Sequence, residues 1–244
     1  MKFENTEVWG FEHAIRGMRN PMNSWDKSDS FWEDYKCIRF GDKECTKNFI
    51  IGENDLKLAQ KLIKGGSEHR KFMRQIFVSV DITAPLYWWK EFDTYKVGTV
   101  VNSTSTMHKI DSKPITLECF EIDDYKGTEL LIDETEVSLD WDVKDIIDVL
   151  EALRQKYLET KDKRYWKELI RWLPESWLQT RTVTMTYENI YSMLRQRYTH
   201  KLNEWSGLDD NTLPNFKKWV NTLPYANELL FLGLKKETFN NDPK

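Results

Sequence analysis

Residues 76–85 read Ile-Phe-Val-Ser-Val-Asp-Ile-Thr-Ala-Pro, and this stretch decides the fold class. Every second residue is apolar as far as residue 82, so the pattern predicts a strand with one buried face. Pro85 suits the first turn of a helix, and Thr83 is placed to cap it. That helix, predicted to continue through Tyr95, is apolar on almost every side, which indicates deep burial.

Apolar periodicity predicts further helices around this unit. Residues 54–64 form an amphipathic pattern that Asn54-Asp55 caps and Gly65-Gly66 ends. The second half predicts helices at about 144–159, 162–172, 186–204 and 213–222, the first with a stripe of Ile146, Leu150, Leu153 and Tyr157. Residues 115–142 indicate strands with acidic turns, and residues 1–50 look irregular.

These elements predict an α/β (α+β) fold in a single domain over residues 1–244, with 1–50 as its N-terminal segment. The net charge of −4 from 36 basic and 40 acidic residues shows no basic excess, so nucleic acid is not expected as a partner. No run of about 18 apolar residues occurs, and we expect a cytoplasmic protein without a membrane span.

The cysteine and histidine positions support neither a zinc site nor a nucleophile. Cys37, Cys45 and Cys119 form no Cys-x-x-Cys pair, and the 4 histidines lack metal-ligand spacing, so no metal is expected. A Gly-x-Ser-x-Gly elbow, a P-loop and a Gly-x-Gly-x-x-Gly motif are also absent from the sequence.

Arg197 is the residue that the helical pattern singles out. It lies on the same face of the 186–204 helix as Ile190, Met193 and Leu194. A guanidinium on an apolar stripe is costly unless it is paired. The pattern leaves two interpretations open: a structural ion pair or snorkelling side chain, or a guanidinium fork that holds an anion or a polarised carbonyl.

Glu91 shares a face of the buried helix with Thr94 and Tyr95, and a carboxylate in such surroundings needs a partner. That partner could be another core group or a ligand. Arg171 lies near the end of its helix, where the helix dipole favours a surface arginine.

A small-residue loop is predicted after Gly98. Such loops offer hydroxyl and backbone N–H donors suited to phosphate, although similar turns are common. The loop residues of this kind are Asn102, Ser103 and Ser105.

Two segments together resemble the flavin-dependent thymidylate synthase family. In that family a strand leads through Ala-Pro into a buried helix ending in the signature RHRxxSxNExSxRY; residues 68–105 have this order, with Thr94-Tyr95-Lys96 in place of Arg-His-Arg. Residues 166–174 are similar to the family's E-x-A-R-x-x-L-P. Residues 186–197 are similar to the helix whose Asn touches flavin and whose Arg meets the uracil.

The resemblance implies a family-like fold with a central mixed or antiparallel sheet and long helices. It further implies a homotetramer with active sites shared between subunits, each holding FAD and dUMP. Methylenetetrahydrofolate would supply the methylene group, and NADPH would reduce the flavin. The family needs no protein nucleophile, because the cofactor performs the hard chemistry.

The resemblance also implies roles for individual residues. Arg197 would polarise the uracil, with Arg195 its substitute if the alignment shifts. Arg171 would meet the nucleotide phosphate, and Glu91 would sit where the family's Gln contacts dUMP. The phosphate loop would be formed by Asn102, Ser103 and Ser105. The residues facing FAD would be His69, Ser79, Tyr95, Lys96, Asn189 and Arg195.

Three functions therefore remain open. The first is reductive methylation of dUMP to dTMP by an FAD-dependent thymidylate synthase. The second is a related flavin enzyme that modifies another pyrimidine nucleotide, and the third is a non-catalytic nucleotide-binding homologue. The altered signature at 94–96 motivates the second and the third.

Overall fold

The computed structural model describes residues 1–34, 47–122, 129–132, 135–209 and 211–234, which leaves Cys37 and Cys45 outside the described residues. In chain order the strands and helices are β1 (Lys2–Trp9), α1 (Phe11–Met18), β2 (Phe31–Asp34), β3 (Lys47–Ile50), α2 (Glu53–Lys64), β4 (Phe77–Pro85), α3 (Leu86–Phe92), β5 (Val100–Ser103), α4 (Thr106–Lys109), β6 (Glu129–Ile132), β7 (Thr135–Ser138), α5 (Leu139–Thr160), α6 (Lys163–Arg171), β8 (Leu178–Thr186), α7 (Tyr187–Arg197), α8 (Asn203–Ser206) and α9 (Phe216–Val220).

The main sheet has four strands in the order β1-β4-β8-β5, and each neighbouring pair is antiparallel. Strand β4 confirms the alternation predicted for it: Val78, Val80 and Ile82 are buried, whereas the side chains between them are not. Its register places Val80 opposite Val183 of β8, so apolar residues of both strands share the buried face. The predicted combination of helices with an antiparallel sheet is thus confirmed.

For the described residues 1–34 and 47–50, the interpretation of the N-terminal segment 1–50 as irregular was wrong. Strand β1 is an edge strand that pairs with β4, and α1 buries Phe11, Ala14 and Ile15 in the main core. Strand β1 was not predictable from apolar alternation, because most of its residues are exposed and no alternating pattern marks the strand.

The helix after β4 is shorter than predicted. Strand β4 continues through Pro85, so Thr83 lies inside it and its hydroxyl bonds that of Thr180 at 2.7 Å instead of capping a helix. Helix α3 ends at Phe92, and a 3₁₀ turn over Asp93–Tyr95 follows. Burial of its aromatic residues is confirmed, because Trp88, Trp89 and Phe92 are at most 1% exposed.

The helices of the second half are confirmed in existence and corrected in extent. Helix α5 spans 22 residues and buries Ile147 with Leu150, whereas Ile146 of the predicted stripe is 46% exposed. The predicted 186–204 helix ends at Arg197, and the separate short helix α8 follows. Strand β8, which was not predicted, occupies the residues before α7.

Among the described residues, two hydrophobic clusters form the interior. The larger lies against the sheet and includes α1, α3, α7 and the C-terminal segment. The smaller joins α5 to α6 around Leu150 and Leu169. None of the helices in the described part of the chain is long and apolar enough to cross a membrane.

Candidate functional site

The charged residues best placed to bind a ligand lie where α3 and the end of α7 face each other. Arg197 is the last residue of α7, and its Nη1 lies 3.1 Å from Oε2 of Glu91 on α3. His200, just past the helix, places Nε2 3.3 Å from the same oxygen. The structure therefore brings together two residues that the sequence singled out separately, and adds a histidine.

The aromatic residues Tyr95 and Trp205 border this pair. The Nε of Arg197 donates a hydrogen bond to the Tyr95 hydroxyl at 3.0 Å. The guanidinium carbon lies 5.7 Å from the centre of the Tyr95 ring and 5.5 Å from that of the fully buried Trp205, within cation–π range. We use the name Arg197 cluster for Glu91, Tyr95, Arg197, His200 and Trp205.

The cluster is partly open to solvent. The side chains of Arg197 and Glu91 are 20% and 30% exposed, although Oε2 of Glu91 is itself buried. Among the residues that the structure describes, Nη2 of Arg197 donates no hydrogen bond and Oε1 of Glu91 accepts none. One cationic donor and one anionic acceptor thus remain for a ligand.

The tautomer of His200 follows from its backbone contact. The backbone N–H of Leu202 donates to Nδ1 of His200 at 3.1 Å, so Nδ1 is an acceptor and a neutral ring carries its proton on Nε2. This Nε2 faces Glu91. The sequence pattern did not single out His200. It lies three residues after Arg197 and two before Leu202, and it approaches Glu91 only in the folded chain.

Three residues predicted to face FAD meet at the turn after α3. Tyr95 ends the 3₁₀ turn that follows α3, Lys96 is exposed directly after it, and Gly98 adopts a positive φ of 80°. The Asn189 side chain donates to the backbone carbonyl of Val97 at 2.7 Å. Its Oδ1 accepts from Thr186 as part of a capping box for α7, so this amide fixes the turn to the helix.

Ser79 lies on the face of β4 away from the main core. Its hydroxyl bonds that of Thr184 on β8 at 2.7 Å. Thr184 is also the register partner of Val100, the first residue after the Lys96–Gly98 turn to join the sheet. Ser79 is therefore connected through β8 to the same end of the sheet as the turn.

The predicted phosphate loop is a strand for most of its length. Asn102 and Ser103 belong to β5 and pair with Thr182 and Arg181 of β8, because backbone hydrogen bonds extend the sheet to this edge. Their side chains remain exposed. Ser105 caps the short helix α4 by accepting from the backbone N–H of His108.

The remaining predicted residues lie elsewhere. Arg171 is exposed on α6, where it pairs with Glu168, and no contact among the described residues links it to the Arg197 cluster. Arg195 donates to the carbonyls of Leu230 and Leu232, so it holds the C-terminal segment. His69 is exposed and precedes Arg70.

These groups fit a nucleotide and a flavin nucleotide to different extents. For a pyrimidine base the cluster offers Nη2 of Arg197 and Oε1 of Glu91, with aromatic rings beside them. For FAD, the turn supplies the exposed ammonium of Lys96, which no described carboxylate pairs, and the sheet supplies hydroxyls at Ser79 and Thr184. A cation with hydroxyl groups suits a pyrophosphate and a polar ring edge, so the donor set fits the cofactor. Among the described residues, no group of His, Cys, Asp or Glu is arranged to hold a metal ion.

The fold is similar to those of solved flavin-dependent thymidylate synthases. The sequence matches no protein-family model and no curated protein. A crystal structure of flavin-dependent thymidylate synthase ThyX from Helicobacter pylori, complexed with FAD and dUMP, matches over 95% of this chain and 98% of that chain, with a TM-score of 0.63 and 15% identity. A second structure of Thymidylate Synthase X from Helicobacter pylori with FAD and dUMP matches over 93% and 96%, with a TM-score of 0.61 and 15% identity.

Proposed function

We infer that this chain is a flavin-dependent enzyme of the thymidylate synthase type, which binds FAD and reductively methylates a pyrimidine deoxynucleotide at ring C5. The observation that carries this proposal is the Arg197 cluster. Glu91, Tyr95 and Arg197 were each associated with dUMP or FAD by resemblance, and they come from segments that meet only in the folded chain. The fold likeness to two FAD- and dUMP-bound enzymes over nearly the whole chain supports the same conclusion.

The proposed roles follow from the groups that remain free. Arg197 would direct Nη2 to a ring acceptor of the base, while Tyr95 holds its Nε and fixes the orientation of the fork. Trp205 and Tyr95 would exclude water from one side of the base. Lys96 would bind the cofactor's pyrophosphate, and the Ser79–Thr184 pair would meet a polar edge of the cofactor.

When bound, FAD supplies the hydride that completes the new methyl group, with the methylene coming from methylenetetrahydrofolate and the reducing equivalents from NADPH. This division of labour requires no nucleophile from the protein. The homotetramer with shared sites and the cytoplasmic location stay predictions, as do the roles of Arg171, Asn102, Ser103 and Ser105. A subunit count by light scattering tests the first of these.

A second candidate, a related flavin enzyme acting on a pyrimidine other than dUMP, is favoured by one observation. The carboxylate of Glu91 lies 3.1 Å from Arg197, where the resemblance implies an amide. A carboxylate changes both the charge and the hydrogen-bonding capacity presented to the base.

The deciding experiment combines an absorption spectrum with tritium release. Purified protein should be yellow or take up added FAD, and should release tritium from a 5-tritiated pyrimidine deoxynucleotide when methylenetetrahydrofolate and NADPH are present. Arg197→Ala should abolish release, whereas Arg164→Ala, which removes an exposed arginine paired with Asp162, should not.

The possible results separate the three functions. Release from dUMP alone supports the first candidate, and release from another pyrimidine nucleotide supports the second. A yellow protein that binds nucleotide and releases no tritium from any of them is a non-catalytic homologue. A colourless protein that takes up no FAD contradicts the proposed function.

A further inference from the structure

We propose that Glu91 makes the Arg197 cluster selective for a cytosine ring over a uracil ring. The proposal rests on the proposed function, because it takes the cluster as the place where the edge of the base is read. It goes further in naming the base and the residue that selects it.

The two free groups of the cluster define what a base must offer. Oε2 of Glu91 is buried between Arg197 and His200, so Oε1 is the carboxylate oxygen that a ligand can reach. Nη1 and Nε of Arg197 are engaged by Glu91 and Tyr95, so Nη2 is the free donor. A ring that fits must donate to Oε1 and accept from Nη2 at neighbouring positions.

Cytosine meets both requirements without an opposing contact. Its exocyclic amino group can donate to Oε1 while the adjacent ring N3 accepts from Nη2. An ionised carboxylate only accepts hydrogen bonds. Uracil has a single ring donor, N3–H, flanked by two carbonyl oxygens. Placing N3–H on Oε1 lets one carbonyl oxygen accept from Nη2, but it leaves the other carbonyl oxygen beside the negatively charged carboxylate, a contact that cytosine avoids.

The charges of the Arg197 cluster also favour cytosine over uracil. Glu91 lies 3.1 Å from Arg197, and this opposite charge offsets the field that would otherwise polarise a uracil carbonyl. His200 lies on the buried side of the carboxylate, with Nε2 3.3 Å from Oε2 and without hydrogen-bond geometry. Oε1 is thus held as the outward acceptor, and an amide at residue 91 would instead provide both a donor and an acceptor.

The test compares binding of dCMP and dUMP to the purified holoprotein by isothermal titration calorimetry. Wild-type protein should bind dCMP roughly 10-fold more tightly than dUMP, the scale on which one well-placed base contact discriminates. Glu91→Gln should remove this preference and bind dUMP at least as tightly as dCMP. The matched control is Glu151→Gln, which removes a carboxylate paired with Arg154 on α5 and should leave the ratio unchanged.

The outcomes distinguish this proposal from the proposed function. Wild-type protein that binds dUMP as tightly as dCMP, or more tightly, overturns cytosine selectivity and leaves the proposed function standing. An unchanged ratio in Glu91→Gln overturns the role of Glu91. Binding of neither nucleotide contradicts the proposed function as well. If Glu91→Gln does not fold, the wild-type ratio alone decides between the two bases.

Discussion

Two arginine–carboxylate pairs in this chain share the same chemistry. They differ in burial and in whether donor and acceptor atoms remain for a ligand. Arg19 and Asp55 lie 2.5 Å apart with side chains 5% and 0% exposed. Arg197 and Glu91 lie 3.1 Å apart and are 20% and 30% exposed. The carboxylate of the first pair is fully buried, whereas the second pair keeps a donor and an acceptor at its surface.

The surroundings of Asp55 explain the difference. Its Oδ2 accepts from the hydroxyls of Ser28 and Ser30, each at 2.6 Å, and from the backbone N–H groups of Asp29 and Ser30. Burial works to raise the pKa of Asp55, but these hydroxyls and Arg19 outweigh it and hold the pKa below its ordinary value. Through these hydrogen bonds Asp55 connects the N-terminal segment to α2, so its role is structural.

The largest expected effect is therefore on stability, from Asp55→Ala. Removing one partner of a buried, hydrogen-bonded pair leaves Arg19 uncompensated and should lower the free energy of unfolding by about 3–5 kcal/mol. Glu53→Ala is the control in the same helix, since Glu53 forms an exposed pair with Lys57 and its loss should cost no more than ~1 kcal/mol. Denaturant titration measures both, and equal losses would show that burial does not distinguish these pairs.

Arg197→Ala should produce the opposite profile. Its pair is partly exposed, so the free energy of unfolding should fall by less than about 1 kcal/mol. Nucleotide binding should weaken by about 100-fold, because a charged contact to the ligand is lost. Calorimetry measures the binding and denaturant titration the stability, with Arg164→Ala as the control. A stability loss that exceeds the binding loss would assign Arg197 the same structural task as Arg19.

The sequence could predict those parts of the fold and of the candidate site that depend on the local spacing of residues. Strand β4 and the apolar face of α7 were predictable because their burial repeats along the chain. Arg197 was conspicuous for the same reason. Its partners were not predictable from spacing, because Tyr95 is 102 residues away in sequence and only the antiparallel sheet brings α3 and α7 together.

Strand β8 was missed for a related physical reason. Its polar residues include Thr180, Thr182 and Thr184 on one face, but Gln179 and Arg181 alternate with them where apolar residues would mark a strand. The sheet tolerates them because Arg181 pairs with Asp93 and lies over the Trp89 ring. Such compensation comes from distant residues, so periodicity within β8 does not contain it.

A third pair, Glu151 with Arg154, tests the comparison through pH. The hydrogen bond from Arg154 lowers the pKa of Glu151 to about 2, against the opposing effect of burial. Because the folded pKa lies below the ordinary value of 4.5, the ionised carboxylate stabilises the fold above pH 4.5. This contribution is lost as the pH falls from 4.5 towards 2.

Glu151→Gln should remove that part of the acid sensitivity. The free energy of unfolding of the variant should change less than that of the wild type between pH 4.5 and pH 2, since the amide does not titrate there. Denaturant titrations at several pH values provide the measurement. Parallel pH profiles for the two proteins would mean that solvent screens the pair and that it contributes little to the free energy of unfolding, as is usual for exposed pairs.

The smallest effect is expected from Lys96→Ala, which removes a cation that no described carboxylate pairs. With no intramolecular partner to lose, the variant should keep its free energy of unfolding within about 0.5 kcal/mol. FAD binding should weaken by roughly 5–10-fold, as one exposed charge contact to a pyrophosphate is lost. Lys90→Ala is the matched control, because Lys90 is also exposed but already paired with Glu175. Flavin fluorescence titration measures the affinities. Equal affinities for the two variants would place the pyrophosphate away from the Lys96 turn, so that an unpaired charge on this chain would no longer be a guide to its ligand sites.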